Sequence, residues 1–145
     1  MPRVSAAFFV TGALFVLVGM GIGEFMGVHE DFRLTPVHAH INLVGWVTMA
    51  LYGTFYALTA KTMSKRLAWT NYVLGTIAVL VMTPSLAAYL LTQNKAYLGA
   101  VIGGETLAML GMITFLISAI RELLRKRDTE GSQDLIANSV GVAAE

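Results

Sequence analysis

Four long stretches of this sequence carry almost no charge, and this pattern constrains the fold more than any other feature. Residues 4–23, 37–60 and 67–94 contain no Asp, Glu, Lys or Arg, and residues 96–120 contain only Glu105. Each stretch reaches or exceeds the ~20 apolar residues that an α-helix needs to cross the hydrocarbon core of a bilayer. The sequence therefore predicts an all-α fold, a four-helix transmembrane bundle. The helices are expected at residues 5–27, 36–60, 67–92 and 96–123.

Composition supports this prediction and excludes several classes of function. Of the 145 residues, 56% are hydrophobic and only 13% are charged, which is too little surface charge for a water-soluble domain of this size. The chain contains no cysteine, so disulfides and thiolate metal sites are excluded. A formal net charge of +1 gives no electrostatic footprint for nucleic acid.

The placement of lysine and arginine predicts the orientation in the membrane. Residues 61–66 carry three positive charges and residues 121–127 carry four, whereas residues 24–36 carry three acidic groups and Arg33 alone. Because cytoplasmic loops are enriched in Lys and Arg, both termini and the second connection are expected to be cytoplasmic. We expect a transmembrane domain over residues 1–128, a mobile cytoplasmic tail over residues 129–145, and a location in a lipid bilayer, the bacterial inner membrane.

Two of the three histidines lie at the start of the second predicted helix, where Thr35 is expected to be the N-cap and Pro36 the first helical residue. His38 and His40 are two residues apart, about 200° around a helix axis at ~100° per residue. They therefore point in nearly opposite directions and cannot bind one ion as an i, i+4 pair could. At most one of them belongs to a given site within the chain, unless the first turn of the helix is distorted.

The two faces of this helix differ in character. The face of His38 is polar and small, with Asn42, Gly45, Met49, Tyr52 and Tyr56. The face of His40 is aliphatic, with Leu43, Val44, Val47, Leu51 and Leu58. This contrast favours His38 as a ligand of a cofactor or metal. The alternative is that both imidazoles lie at the membrane interface and bind headgroups, water or Glu30.

Glu105 is the one formal charge inside a predicted span, so it is a candidate proton or polar site in the membrane. We expect its side chain to face the interior of the bundle. The alternative to a functional role is a protonated side chain that forms a hydrogen bond to a neighbouring helix.

His29 precedes two acidic residues in the first connection. Together with His40 it could bind zinc or copper, and the alternative is a solvated loop.

Glycines recur at Gly19, Gly23 and Gly27 in the first helix, at a spacing that lets another helix approach closely. The partner could be a helix of the same chain or of a second copy, and the sequence leaves both open. A weaker series of Ala100, Gly104, Ala108 and Gly111 lies in the fourth helix.

Residues 33–58, RLTPVHAHINLVGWVTMALYGTFYAL, resemble helix II of the catalytic subunit of haem–copper oxidases, nearest the cbb3 type. Arg33, Leu34, Pro36 and His38 match the pattern that opens that helix, and the H-A-H run is also similar to the NnrS family. The resemblance implies that His38 is an axial ligand of haem b, and Arg33 is placed to pair with a haem propionate. The chain lacks the other helices and histidines of an oxidase, so it is not expected to reduce oxygen or nitric oxide alone.

Three hypotheses remain open from the sequence. The first is a b-type haem protein in electron transfer or in gas or haem binding, a homo-oligomer with a redox partner protein. Its second axial ligand would be a methionine, such as Met49 or Met82, or the histidine of a second copy. The second is a small oligomeric proton-coupled transporter that uses Glu105, and the third is an assembly subunit without cofactor.

Overall fold

The computed structural model describes residues 1–125, which form four long helices joined by short connections. We number them α1 (Arg3–His29), α2 (Phe32–Leu58), α3 (Lys65–Thr92) and α4 (Lys95–Leu123). All four are long and apolar enough to cross a membrane, which confirms the predicted all-α, four-helix architecture. The tail expected at residues 129–145 lies outside the described residues.

The connections are short because each helix ends or begins with a local cap. Glu30 follows α1 in the left-handed conformation, with φ of 51°, and its N–H donates to the carbonyl of Met26. Ser64 precedes α3, and its hydroxyl accepts the N–H of Leu67. Gln93 closes α3, again in the left-handed conformation. Short connections reverse the chain each time, so consecutive helices run antiparallel.

The start of α2 differs from the prediction. Asp31 caps a short 3-10 turn at Phe32–Leu34, so the helix begins before Thr35. The Thr35 hydroxyl donates to the carbonyl of Phe32 at 2.7 Å and does not cap the helix. The predicted N-cap at Thr35 is therefore wrong, because an acidic side chain further upstream already satisfies the first free backbone N–H groups.

The middle of α2 is wound more loosely than its ends. Thr35–His40 and Met49–Leu58 are α-helical, but Ile41–Thr48 between them forms a π-helix. The Thr48 hydroxyl donates to the carbonyl of Leu43, five residues back, at 2.8 Å. Such segments are rare and occur frequently at functional sites. This one begins immediately after His40.

Aromatic rings from all four helices join in one core. The Phe8 ring of α1 stacks on Tyr56 of α2 with centroids 5.8 Å apart, and meets Tyr72 of α3 edge-on at 5.2 Å. Phe115 of α4 lies 4.5 Å from Tyr52. Edge-on and offset ring pairs stabilise a core beyond the area they bury. This core lies in the half of the bundle that contains the N-terminus, on the far side from His38.

Glycines set the closest approaches between helices. A Cβ on Gly104 of α4 would lie 2.6 Å from the Cβ of Met82 and 2.7 Å from its backbone nitrogen, so α4 rests directly on α3. Gly19 and Gly23 of α1 face α2 in the same way, whereas Gly27 has open space around it. The sequence left open whether the α1 glycines pack against a helix of the same chain or of a second copy. Gly19 and Gly23 pack against a helix of the same chain.

Candidate ligand site at His38

The His38 imidazole lies between α1 and α2 and bonds to the neighbouring helix. Its Nδ1 is 2.8 Å from the carbonyl oxygen of Gly19. A carbonyl only accepts, so Nδ1 carries the hydrogen, and Nε2 of the neutral ring keeps its in-plane lone pair. A backbone carbonyl commonly fixes the tautomer and orientation of a metal-ligating histidine in this way. The sequence alone did not reveal this contact, because Gly19 is nineteen residues away on another helix.

The Asn42 side chain covers one face of the same ring. Its Nδ2 lies 3.3 Å from His38 Nδ1 and 3.1 Å from Nε2. A nitrogen so nearly equidistant from both ring nitrogens cannot lie in the ring plane, because it would collide with the ring carbons. The amide therefore packs over the face of the imidazole. The in-plane lone pair of Nε2 is not used by this contact.

Two glycines of α1 make room for these polar side chains. A Cβ on Gly23 would lie 2.8 Å from Cε1 of His38 and 3.1 Å from its Nδ1. A Cβ on Gly19 would overlap the Asn42 amide oxygen. Any larger residue at either position would displace the ring or the amide. The glycine series predicted that another helix approaches closely. In the structure, Gly23 leaves the space that the His38 ring occupies and Gly19 leaves the space that the Asn42 amide occupies.

His40 and His29 make only local contacts. His40 Nδ1 bonds the carbonyl of Pro36 at 2.7 Å, and His29 Nδ1 bonds the carbonyl of Phe25 at 2.9 Å. In both cases the acceptor is four residues back, a bond that any helical histidine can form. The His29 ring is exposed and stacks on Phe25 with centroids 4.2 Å apart. Among the three histidines, His38 is the one tied to another helix.

The predicted division of α2 into two faces is confirmed. The residues in line with His38 include four that are buried: Gly45, Met49, Tyr52 and Tyr56. Of the residues in line with His40, four are exposed: Leu43, Val47, Leu51 and Leu58. The two faces remain distinct through the π-helix and beyond it.

The predicted zinc or copper site gains no support. Within residues 1–125, no three His, Asp or Glu side chains are grouped so that they could hold a metal ion. His29, His38 and His40 do not form such a group.

Arg33 is held by Asp31 at the start of α2. Its Nε lies 2.9 Å from Oδ1 of Asp31, and its Nη2 lies 2.6 Å from Oδ2. This hydrogen bonding lowers the pKa of the Asp31 carboxyl to about 2. Because the pKa of the carboxyl is depressed, Asp31 is ionised at neutral pH and can pair with Arg33. A haem propionate would have to use the three N–H groups that Asp31 leaves, which are the two of Nη1 and the second one of Nη2.

The position of Glu105 differs from the prediction. Its side chain is exposed on the outer face of α4, as are Met109 and Met112 on the same face. The expected position in the bundle interior is therefore wrong for the single chain. The inner face of α4 is instead made of small residues such as Gly104 and Gly111, which allow close contact with α3. Glu105 follows Gly104 directly, so its side chain is rotated by ~100° away from that inner face.

A buried polar cluster was not predicted. Asn71 of α3 has no exposed surface, and its Nδ2 donates to the Tyr56 hydroxyl at 3.2 Å. That hydroxyl donates in turn to Oγ of Ser118 on α4 at 3.1 Å. Asn71 lies in line with Ala68 and Gly75, which are also buried. The sequence signal that could have identified this cluster is an amide side chain that lies in line with small residues in a span without charges.

Comparison with known proteins adds no relative: no protein-family model matches the chain, and neither a curated protein nor a solved structure does. The geometry of His38 and the resemblance of residues 33–58 are the two observations from which a function can be proposed.

Proposed function

We propose that this protein is an integral membrane protein that binds b-type haem, with Nε2 of His38 as an axial ligand. The observation that carries the proposal is the bond from Nδ1 of His38 to the Gly19 carbonyl, which leaves the lone pair of Nε2 in the ring plane. The resemblance of residues 33–58 to an oxidase helix points to the same residue by an independent route. When bound, the haem would supply electron-transfer or gas-binding chemistry.

The haem would lie at the surface of the four-helix bundle and not in its core. The core cleft between α2, α3 and α4 has a volume of about 130 Å³ and is lined by residues such as Met49, Tyr52 and Gly75. Pockets that enclose ligands have volumes of ~300–1,000 Å³, so this cleft is too small for a porphyrin. His38 is only half-buried, so its ring can be reached from outside the core.

A second copy of the chain would supply the sixth ligand. Met49 and Met82, the two candidate methionines, are almost fully buried, with exposed fractions of 1% and 2%. Met49 of α2 packs against Gly75 of α3, and Met82 of α3 packs against Gly104 of α4, so both lie inside the bundle. His38 of another copy is the ligand of matching chemistry. We therefore propose a homo-oligomer with haem between copies, toward the outer half of the membrane.

The exposed Glu105 side chain independently supports an oligomer. A carboxyl group near the middle of a membrane span is costly when it faces lipid, and such groups usually face protein or water. Met109 and Met112, four and seven residues further along the same face, are also exposed, so Glu105 lies within an apolar surface that a second copy could cover. A proton-coupled transporter that uses Glu105 would need the same interface. It remains the second candidate because of this exposed carboxyl group.

Replacing Glu105 with leucine is expected to leave the fold of the chain intact and to weaken its self-association. No hydrogen bond to another part of residues 1–125 is lost, but the polar contact between copies is removed. Interhelical polar contacts in membranes contribute ~1–2 kcal/mol, so the dissociation constant should rise about 5- to 30-fold. Light scattering of the protein in mild detergent over a dilution series measures it.

The matched control for this change is Met109→Leu, one turn away on the same exposed face. We expect Met109→Leu to keep the wild-type association, and Glu105→Gln to keep most of it through the amide. Equal association of Glu105→Leu and the wild type would show that the carboxyl is not at the interface.

Haem content per chain tests the proposed function. Protein expressed with a haem precursor and purified in mild detergent is assayed for haem b by the pyridine method and for protein by amino-acid analysis. Ligation by His38 of two copies predicts about one haem for two chains. A ratio near one haem per chain would contradict the shared site and indicate a five-coordinate haem in each chain. A ratio near zero would contradict haem binding.

A further inference from the structure

A second cavity lies at the end of the bundle opposite His38, where the connection between α2 and α3 meets the end of α4. Its volume is about 350 Å³. The wall contains three cationic side chains, Lys61, Arg121 and Arg125, beside the hydroxyl groups of Ser64 and Ser118. Arg121 lies in the last turn of α4 and Arg125 follows the end of that helix, and both line the cavity. None of these groups takes part in the proposed haem site.

The cations of this cavity have no acidic partner among the described residues. Within residues 1–125, the ion pair present is the one between Arg33 and Asp31, at the other end of the bundle. Glu122 also lines the cavity, and its Oε2 accepts a hydrogen bond from the Thr62 hydroxyl at 2.7 Å. Counting the described residues that line it, the cavity therefore has three positive charges and one negative charge, and the negative group is already hydrogen-bonded.

We propose that this cavity binds the phosphate group of an anionic phospholipid. Arginine side chains bind phosphate oxygens through strong charge-assisted hydrogen bonds. The positive charge at this end predicts that it faces the cytoplasmic leaflet, where anionic lipids attract basic groups beside membrane helices. Phe55 and Leu67 give the cavity an apolar wall next to the cations. That wall suits the glycerol and first acyl carbons of a lipid.

A soluble phosphate compound shares the charge chemistry but not the apolar contact. Inorganic phosphate would use the arginines and leave Phe55 and Leu67 uncovered. A phospholipid uses both, so its binding should survive an excess of inorganic phosphate. The proposal does not depend on haem, because the cavity and His38 lie at opposite ends of α2.

The experiment is native mass spectrometry of the full chain in detergent, titrated with dioleoyl phosphatidylglycerol or with dioleoyl phosphatidylcholine. The test variant is Arg121→Gln with Arg125→Gln, and the charge-conserving variant replaces the same two residues with lysine. The control is Arg66→Gln, an exposed cation at the same end of the bundle that does not line this cavity. A parallel titration contains millimolar inorganic phosphate.

We expect phosphatidylglycerol to bind more tightly than phosphatidylcholine, and the double glutamine variant to lose about 25-fold in affinity, about 5-fold per arginine. The lysine variant and Arg66→Gln should retain most of the binding. Equal losses in Arg66→Gln and the double variant would show general surface charge and overturn the site. Displacement of the lipid by inorganic phosphate would make the ligand a soluble phosphate, and equal binding of both lipids would contradict recognition of anionic charge.

Discussion

His38→Ala is expected to abolish haem binding, and His40→Ala to leave it nearly unchanged. Alanine at position 38 removes the Nε2 ligand together with the Nδ1 bond to Gly19. Alanine at position 40 removes a ring that bonds only its own helix, at the Pro36 carbonyl. The two residues are of the same type and two positions apart in one helix, so each variant controls for the other. Haem content after identical expression and purification is the measurement.

Conservative changes around the ring sharpen this test. Gly23→Ala places a methyl group where the structure leaves 2.8 Å to Cε1 of His38, so the ring must shift although the ligand is retained. We expect a changed spectrum or weaker haem retention in this variant. Gly27→Ala is the control because no atom lies within 4 Å of a Cβ there. Loss of haem in His40→Ala with retention in His38→Ala would reverse the assignment of the ligand.

Gly104→Val is expected to destabilise the four-helix bundle strongly. Its Cβ would lie 2.6 Å from Met82 Cβ and 2.7 Å from the Met82 backbone nitrogen, so the clash involves backbone that no side-chain rotation relieves. Overpacking of this kind costs ~1–3 kcal/mol and occasionally more. Unfolding in mixed detergent, titrated with dodecyl sulfate and followed by circular dichroism, measures the loss.

Gly103→Val is the matched control, since no atom lies within 4 Å of a Cβ at that position. Both variants add the same side chain at adjacent positions of α4, so intrinsic helix propensity cancels in the comparison. Equal destabilisation of the two would contradict the close packing of α4 on α3.

The sequence predicts the helices and the buried face of α2 well because both depend on local pattern. Charge-free stretches define the four spans, and a rotation of ~100° per residue separates His38 from His40. The exposed position of Glu105 was mispredicted for a physical reason. Both faces of a membrane helix are apolar, so hydrophobic periodicity does not show which face is inside. In α4 the small residues, rather than the hydrophobic ones, mark the packed face.

Contacts between helices account for most of what the sequence left open. The partner of Asn71 is Tyr56 on another helix, and the carbonyl that orients His38 belongs to Gly19 of α1. No spacing rule within one helix identifies either pair. The π-helix at Ile41–Thr48 was also unforeseen, because its sequence contains no residue type that specifies the looser winding. These features become visible only when the helices are packed together.

The optical spectrum of the purified wild-type protein tests the central claim most directly. Protein from cells supplied with a haem precursor is purified in mild detergent, and spectra are recorded before and after reduction with dithionite. Axial ligation by His38 predicts a Soret band, and sharp α and β bands on reduction if His38 of a second copy completes the coordination. A protein that is well folded by circular dichroism and shows no Soret band, even after incubation with haemin, would contradict the account.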